Sequence, residues 1–325
     1  MREGDDYFVG MNEAKRYFRY IIFPITLGIC FCSYGQEASK IDPLSKYENA
    51  DAPVKLFPGD ISVDGMQWNN AFTRDNRKIF YCQQLPNRAQ LVYQEFRGKR
   101  FSIPEPIPFD TLYNYSDPYI NAQGNHLIFM SNLPYHLNRD SVTTHFQLWQ
   151  SHKRSDGWSI PEIVFPTKTG VGYPWRTKDG TLFYSLMPSD GTRNSNIYFA
   201  TFKNGRYGKP MALPNNVNST DKFEGDAFVA PNREYLIFAG FDREDSMGFS
   251  DLYITFNQGE NTWSDPKSLG TGINSTGYDG SPFVTEDGKF LIFTSSRNSP
   301  GENSFFNRYI VRFHVDAYRE CELFN

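Results

Sequence analysis

The chain has 325 residues with a formal net charge of -4, an aromatic content of 17%, 20 prolines and 25 glycines. This composition disfavours long helices and favours many short strands joined by turns. Lysines and arginines are interspersed with acidic residues along the sequence. They form no basic stripe of the kind that binds a phosphate backbone. We therefore expect no nucleic-acid partner.

The N-terminus has the pattern of an export signal. Lys15, Arg16 and Arg19 precede an apolar run, YIIFPITLGICFC, over residues 20–32. Basic residues, a short apolar run and then small residues are typical of a cleavable signal peptide, and cleavage is predicted after Gly35. The run is shorter than the ~20 apolar residues of a membrane span. We therefore predict a signal peptide over residues 1–35 and a periplasmic or secreted mature chain without a transmembrane span.

The cysteines leave two alternatives open. Cys30 and Cys32 stand near the place of an acylated cysteine, so lipid anchoring to the outer membrane is the alternative to secretion, although large apolar residues precede both. Cleavage after residue 35 leaves only Cys82 and Cys321, which either form one disulfide or remain free thiols. Two cysteines are too few for a structural zinc site built from thiolates.

Five segments of the sequence resemble one another, and each is predicted to form a strand, a tight turn and a second strand. The segments are AFTRDNRKIFY, PYINAQGNHLIF, PWRTKDGTLFY, AFVAPNREYLIF and PFVTEDGKFLIF, with anchor aromatics Phe72, Tyr119, Trp175, Phe228 and Phe283. The anchors are spaced by 47, 56, 53 and 55 residues. This period indicates the blades of a β-propeller.

The pattern of each unit predicts four strands per blade and a ring closed by the N-terminus. An aromatic residue three positions before a proline, as in Trp263 and Pro266, opens a fourth strand at the outer rim, where proline is tolerated. The last unit lacks this strand, whereas residues 52–57 (APVKLF) match it. We therefore predict an all-β propeller of about five four-stranded blades, in which the N-terminal strand closes the last blade. The predicted segments are a linker over 36–51, the propeller over 52–314 and a tail over 315–325.

The repeat units resemble a known family of bacterial envelope proteins. The units DGSPFVTEDGKFLIFTS, SDLYITF and TWSDPKSLGTGINSTGYDG look like TolB-type, WD-repeat-like propeller repeats. The resemblance covers roughly residues 52–314 and implies a protein of the envelope. TolB-type propellers usually have six blades, so the count of five departs from that pattern.

The sequence carries no motif of a well-defined enzyme mechanism. G-x-S-x-G, H-E-x-x-H, Walker A and dinucleotide-binding glycine patterns are all absent from it. The five histidines are scattered, and His145 and His152 are the pair that could share a metal, but surface or strand-end roles are the better interpretation. We expect no cofactor and no metal.

The candidate ligand-binding residues stand just before or at the start of each innermost strand. In a propeller these positions crowd around one mouth of the central channel, so their side chains are expected to converge there. The candidates are Trp68, Asn69, Asn70, Tyr115, Asp117, Tyr173, Glu224, Asp226, Tyr278 and Asp279. They favour a non-catalytic scaffold that binds a protein, peptide or carbohydrate partner. Capping of backbone groups is the structural alternative for the acidic ones.

A glycoside hydrolase is the alternative function. Five-bladed propellers resemble the architecture of several glycosidase families that carry three carboxylates around the mouth. In that hypothesis Asp117 is the base, Glu224 is the acid, and Asp226 or Asp279 orients them. Against it, the same positions recur in several repeats, and a recurring position serves folding first.

Overall fold

Five antiparallel sheets form a ring, which confirms the predicted five-bladed β-propeller. The computed structural model describes residues 41–63, 65–138, 141–143, 145–187, 194–219, 222–297 and 306–319. The first strand of each blade contacts the first strand of the next, and that of blade 5 contacts that of blade 1. The ring is therefore closed around a central axis.

In blades 1 to 4 the strands run outward from this axis in sequence order, and in blade 5 the N-terminal strand is the outermost. Blade 1 consists of Gln67–Phe72, Lys78–Gln84, Ala89–Glu95 and Glu105–Pro106. Blade 2 consists of Tyr115–Ile120, His126–Ser131, Gln147–Arg154 and Glu162–Ile163. Blade 3 consists of Val171–Arg176, Leu182–Leu186, Asn196–Ala200 and Met211–Ala212. Blade 4 consists of Glu224–Val229, Tyr235–Phe241, Ser250–Gly259 and Lys267–Ser268. Blade 5 consists of Asp279–Val284, Phe290–Ser295, Asn307–Arg312 and the N-terminal Val54–Lys55.

Shorter elements decorate the blades. Gly157–Trp158 and Thr262–Trp263 extend the third strands of blades 2 and 4, and Tyr135–Asn138 pairs with Ser141–Thr143. Phe202–Lys203 and Arg206–Tyr207 form a separate hairpin on blade 3. The 3-10 helices are Pro43–Tyr47 and Val315–Tyr318.

The turn between the first two strands follows the predicted chemistry. Gly180 and Gly288 have φ of 84° and 73°, conformations that glycine adopts without a steric penalty. In blade 3 the Thr177 Oγ1 donates to Asp179 Oδ1 at 2.6 Å, and in blade 5 the same bond recurs at 2.7 Å. These local bonds fix the hairpins that position the innermost strands.

The N-terminal strand closes blade 5, as predicted. Val54 pairs with Ile310 in antiparallel register. Within the segment predicted as a linker, the Pro43–Tyr47 helix contributes Leu44 to the core, where it is fully buried. The described N-terminal residues therefore pack into the propeller as well as pairing with it.

Some predictions lie outside the described residues or touch them only in part. The predicted signal peptide, Cys30, Cys32 and Cys321 fall outside, while Cys82 is a buried free thiol. In the part of the chain that the structure describes, no helix has the length and apolar character needed to cross a bilayer.

Candidate functional site

Each innermost strand contains one β-bulge at the same place. Its pairing with the second strand shifts register once in every blade, and one residue in each bulge has a positive φ of 49° to 62°. These bulge residues are Asn69, Asp117, Tyr173, Asp226 and Ser281. A bulge bends the strand and redirects a side chain. Asn and Asp tolerate this backbone conformation, whereas tyrosine adopts it only under tertiary constraint.

The bulges also define which residues are equivalent in the five blades. Ala71 pairs with Phe80 as Tyr119 pairs with Ile128. The counterpart of Tyr119 in blade 1 is therefore Ala71, and the alignment of Phe72 with the other anchor aromatics is off by one residue. The conformation of a bulge leaves no mark on the spacing of apolar residues, so the sequence did not reveal this shift.

The bulge residues enclose a small polar chamber on the axis, which we call the bulge chamber. Its walls are Asn69, Asn70, Asp117, Pro118, Tyr173, Pro174, Trp175, Asp226, Ala227, Ser281 and Pro282. Its volume is about 30 Å³, comparable to the share of liquid volume that one water molecule takes. Asp117 and Asp226 are only 3% and 6% exposed. A sugar ring does not fit in this chamber.

Asp117 is held in the chamber by two donors. Ser116 Oγ donates to its Oδ1 at 2.7 Å, and the backbone N–H of Tyr173 donates to its Oδ2 at 3.3 Å. Trp68 supports the arrangement, because its Nε1 donates to Ser116 Oγ at 3.0 Å. Burial raises the pKa of Asp117 to about 7; repulsion from Asp226 adds to the rise and the hydrogen bonds oppose it. The Asp117 carboxyl therefore titrates near neutral pH.

Asp226 has a denser set of donors. Tyr278 Oη, the Ser281 backbone N–H and Ser281 Oγ all donate to Asp226 Oδ2, at 2.8, 2.8 and 3.1 Å. Its Oδ1 is buried without a partner among the described residues. Burial raises the pKa of Asp226, while the bonds from Tyr278 and Ser281 lower it. Two acidic groups thus share one enclosed space, with most of the donors on Asp226.

Replacement of Asp117 by Asn is expected to stabilise the protein at pH 8 and to leave its stability unchanged near pH 4. The folded state keeps the Asp117 proton up to about pH 7, whereas an unfolded aspartate loses it near pH 4. Between these values the unfolded state binds fewer protons, so stability falls as pH rises through the window. Asn is neutral throughout, and the expected gain at pH 8 is on the order of 2 to 4 kcal/mol. Chemical denaturation of both proteins from pH 4 to 8 measures it.

The matched control for this prediction is Asp316→Asn, because the Asp316 side chain is 88% exposed. That variant should follow the wild-type pH profile. Other groups, such as His126 with its pKa lowered to about 4 by burial, shape the profile of every variant equally, so the difference between variant and wild type isolates Asp117. A difference that does not change with pH would contradict the prediction.

Glu224 and Asp279 do not line the bulge chamber. Each lies two residues before its bulge residue, is fully buried, and forms an ion pair with an arginine from the loop after the second strand. Arg243 Nη1 lies 3.0 Å from Glu224 Oε1, and Arg297 Nη2 lies 2.8 Å from Asp279 Oδ1. Burial raises the pKa of Glu224, and Arg243 and its hydrogen bonds oppose the rise. Both carboxylates therefore connect the first strands to the loops of their own blades.

The remaining predicted residues lie either in the wall of the bulge chamber or outside it. Asn70 is buried in the chamber wall and donates to the Ser281 carbonyl oxygen at 2.9 Å. Trp68 is half-buried and Tyr115 is buried, and neither belongs to the wall. The structure thus brings together Asn69, Asn70, Asp117, Tyr173 and Asp226 in the chamber wall. Tyr278 is not in the wall but donates to Asp226. The other candidates lie outside the wall: Trp68, Tyr115, Glu224 and Asp279.

A second and larger cavity lies on the other side of Trp175, whose side chain lines both spaces. This turn-side basin has a volume of about 390 Å³. It is lined by Phe72, Thr73, Arg74, Tyr119, Ile120, Asn121, Ala122, Gln123, Trp175, Arg176, Thr177, Lys178, Phe228, Pro231, Phe283, Val284 and Glu286. These residues come from the hairpins that join the first and second strands, so the basin opens at the end opposite to the predicted mouth.

The floor of the basin is a cluster of aromatic rings. Trp175 lies 4.7 Å from Phe228, 5.4 Å from Tyr119 and 5.9 Å from Phe283, measured between ring centroids. The sequence did indicate these residues, as the anchor aromatics of the repeat. Their convergence on the axis depends on ring closure, which the sequence pattern alone does not place in space.

The rim of the basin is charged. Arg74 Nη2 lies 2.7 Å from Glu286 Oε1, and Lys178 Nζ lies 3.9 Å from the same oxygen. Both basic side chains are largely exposed, at 59% and 67%. Exposed pairs of this kind contribute little to stability, so these groups remain available to a ligand.

His145 and His152, the pair that could share a metal, have different neighbours in the structure. His145 Nε2 lies 3.2 Å from the Thr167 carbonyl oxygen, whereas the His152 ring stacks on His126. Within the described ranges, no group of three or more His, Cys, Asp or Glu side chains is arranged to hold a metal ion.

Comparisons with known proteins support the fold and leave the family open. No protein-family model matches the sequence, and no curated protein sequence matches it significantly. An α-L-arabinofuranosidase from Lactobacillus brevis superposes with a TM-score of 0.55 at 11% identity, covering 79% of this chain and 93% of that chain. The catalytic domain of the GH62 α-L-arabinofuranosidase from Coprinopsis cinerea gives 0.54 at 11% identity, covering 81% and 97%.

TolB from Acinetobacter baumannii is also similar, with a TM-score of 0.49 at 16% identity over 77% of this chain. The present chain spans about half, 55%, of that TolB chain. At identities of 11% the likeness to the two arabinofuranosidases shows a shared fold and carries no activity over to this chain.

Proposed function

We propose that this chain is an exported, non-catalytic β-propeller that binds a protein, peptide or carbohydrate partner in the bacterial envelope. One observation supports it above all: the Asp117 and Asp226 carboxylates on the axis are buried. Glycoside hydrolysis requires two carboxyl groups on either side of a bound sugar, about 5 to 9.5 Å apart. Asp117 and Asp226 line a space of about 30 Å³, which is too small for a sugar ring between them, and Glu224 is engaged by Arg243.

The partner is proposed to bind in the turn-side basin. A volume of about 390 Å³ lies within the ordinary range of ligand pockets. Aromatic rings on the floor offer stacking surface, and a rigid closed ring keeps them in place, which favours binding by reducing the cost of ordering the site. The basic rim at Arg74 and Lys178 adds polar selectivity. The proposed binding site is therefore at the end of the axis opposite to the mouth predicted from the sequence.

Export is proposed from the N-terminal pattern of basic residues, apolar run and small residues described above. A bacterial envelope location agrees with the TolB-like repeat units, on which that part of the proposal rests.

Binding to a glycan array and an envelope peptide library is expected to depend on the basin rim. Arg74→Glu and Lys178→Glu should reduce binding about tenfold or more, because each replaces a cation that would contact the partner. The matched control is Lys289→Glu, since Lys289 is equally exposed, at 66%, on a hairpin of blade 5 and does not line the basin. The control should bind like the wild type.

The glycosidase alternative is tested with the same protein. Its supporting observation is Asp117, the base of that hypothesis, whose pKa of about 7 lies near the operating pH, as suits a catalytic base. If the chain hydrolyses arabinosyl, xylosyl or mannosyl substrates and Asp117→Asn slows hydrolysis roughly a thousandfold, the binding proposal is wrong. No hydrolysis, together with rim-dependent binding, supports it.

A further inference from the structure

Arg176 breaks the symmetry of the propeller. By strand register it occupies the last position of its innermost strand, where the other blades have Phe72, Ile120, Val229 and Val284. Those four apolar side chains are buried, whereas Arg176 introduces a half-buried charge at the same place. A residue that departs from a repeat in one blade only is a candidate for a function that the other blades lack.

The Arg176 guanidinium has no carboxylate partner among the described residues. Among the described residues no ion pair forms there, and none of them is a hydrogen-bond partner for the buried Arg176 Nε. The guanidinium packs over the Phe202 ring, with 5.4 Å between Cζ and the ring centroid, and the Tyr207 hydroxyl is a polar neighbour. Burying part of a charge without a counter-charge is costly. An anion bound beside Arg176 would offset that cost.

Arg176 lies in the wall of a cleft between blades 2 and 3. The cleft has a volume of about 680 Å³. Its walls contain the basic residues Arg176 and Arg206 and the histidines His126 and His152, and none of the described residues in them is Asp or Glu. Arg206 is exposed and also forms no ion pair within the described residues. The cleft is therefore positively charged with nothing in its walls to neutralise it.

Two stacked histidines lie in the wall of the cleft beside Arg176. His126 and His152 stand opposite each other in neighbouring strands, and their rings stack with 4.3 Å between centroids and 11° between planes. Burial lowers the pKa of His126 to about 4, the hydrogen bond with Gln150 opposes the shift, and electrostatic interactions with His152 and Arg176 lower it further. Nearby charge thus disfavours a further cation and favours an anion.

Aromatic rings also line the cleft. Phe165 and Tyr207 have centroids 5.5 Å apart, and Phe202 and Tyr207 have centroids 4.9 Å apart. A ligand ring, whether of a sugar or an aromatic compound, packs on such surfaces. Guanidinium groups and aromatic rings in one cleft therefore suit a ligand with both an anionic group and a ring.

We propose that the cleft between blades 2 and 3 binds a small organic anion in which a carboxylate or a phosphate is carried on a ring. Arg176 and Arg206 bind the anionic group, since a guanidinium pairs with either group through two parallel hydrogen bonds. Phe165, Phe202 and Tyr207 contact the ring. The site is separate from the turn-side basin, although Arg176 lies at the border of both.

Isothermal titration calorimetry of the full chain tests the proposal with four probes. Glucuronate carries a carboxylate on a ring and glucose 6-phosphate carries a phosphate, whereas glucose lacks the charge and inorganic phosphate lacks the ring. At least one of the first two is expected to bind with a Kd of about 1 mM or tighter, and which of them binds tighter identifies the anionic group. Glucose and inorganic phosphate are expected to bind at least about tenfold more weakly.

Two variants connect the binding to the cleft. Arg176→Gln and Arg206→Gln are each expected to raise the Kd of the better probe at least about tenfold. Arg206 lines only the cleft and is exposed, so its replacement leaves both the fold and the basin intact. The control is Arg97→Gln, because the Arg97 side chain is 66% exposed on blade 1 and lines neither cavity.

The proposal is overturned if neither charged probe binds, if glucose binds as tightly as they do, or if Arg206→Gln binds like the wild type. None of these outcomes bears on the proposal that the basin binds the partner, since the Arg74→Glu and Lys178→Glu measurements test that cavity separately. Conversely, suppose that the rim variants lose partner binding while they bind the charged probes like the wild type. That result would show that the basin and the cleft bind their ligands independently.

Discussion

Removal of residues 41–58 is expected to prevent stable folding of the propeller. This segment closes blade 5, and four of its side chains, Leu44, Tyr47, Leu56 and Phe57, are buried in the core that blade 5 shares with blade 1. Burial of a large apolar side chain stabilises by about 1.5 to 3 kcal/mol. Four of them together approach the whole stability of an ordinary domain, about 5 to 15 kcal/mol. The truncated chain should aggregate or melt far below the intact chain.

The stabilisation by this segment is expected to come from side chains rather than from strand pairing. Val54–Lys55 is two residues long and exposed, whereas the Phe57 ring lies 4.9 Å from Phe101 and 6.5 Å from Phe96. Phe57→Ala should therefore cost about 3 to 5 kcal/mol in unfolding free energy. The matched change Val54→Ala, on the exposed strand, should cost less than about 1 kcal/mol. Chemical denaturation compares the two.

Two results would contradict this account. If the truncated chain melts like the intact chain, closure by the N-terminus does not stabilise the ring. If Val54→Ala is as destabilising as Phe57→Ala, the strand pairing matters more than the buried side chains.

The sequence predicted the blades and their closure because both leave repeated, local marks. Turn residues such as Asp179 and Gly180 recur at a fixed offset from the anchor aromatics, and a missing fourth strand at one end matches a spare strand at the other. These signals depend on backbone chemistry within a few residues. The blades and their closure can therefore be recognised from one sequence.

The candidate site was harder to predict for two reasons. Residues only two positions apart in sequence have different surroundings, and the arginines that pair with them lie far along the chain. Glu224 and Asp226 are near neighbours in sequence, yet the bulge sends Asp226 to the axis and leaves Glu224 with Arg243. The positive φ that separates them comes from tertiary packing. An arginine 18 or 19 residues after Asp279 and Glu224 is the one sequence signal for the ion pairs.

Replacement of Trp175 by Ala is expected to be the most damaging single change at the axis. Trp175 packs against four of the five core clusters, and its Nε1 donates to the Val229 carbonyl oxygen at 2.7 Å. Loss of such a side chain costs about 3 to 5 kcal/mol, and the carbonyl left without its donor adds about 1 to 3 kcal/mol if no water reaches it. Trp175→Phe, which keeps a ring and loses only the donor, should cost clearly less.

The same variant is expected to change the chemistry of the bulge chamber, because Trp175 lines both the chamber and the turn-side basin. Without the indole, water from the basin reaches Asp117, and relief of its burial should lower its pKa from about 7 towards the ordinary value near 4. Carboxyl NMR of the folded fraction measures this shift. Trp158→Ala removes an equally half-buried indole on blade 2 that touches neither space, and it should leave the Asp117 pKa unchanged. An unchanged pKa in Trp175→Ala as well would mean that Trp175 does not separate the chamber from solvent.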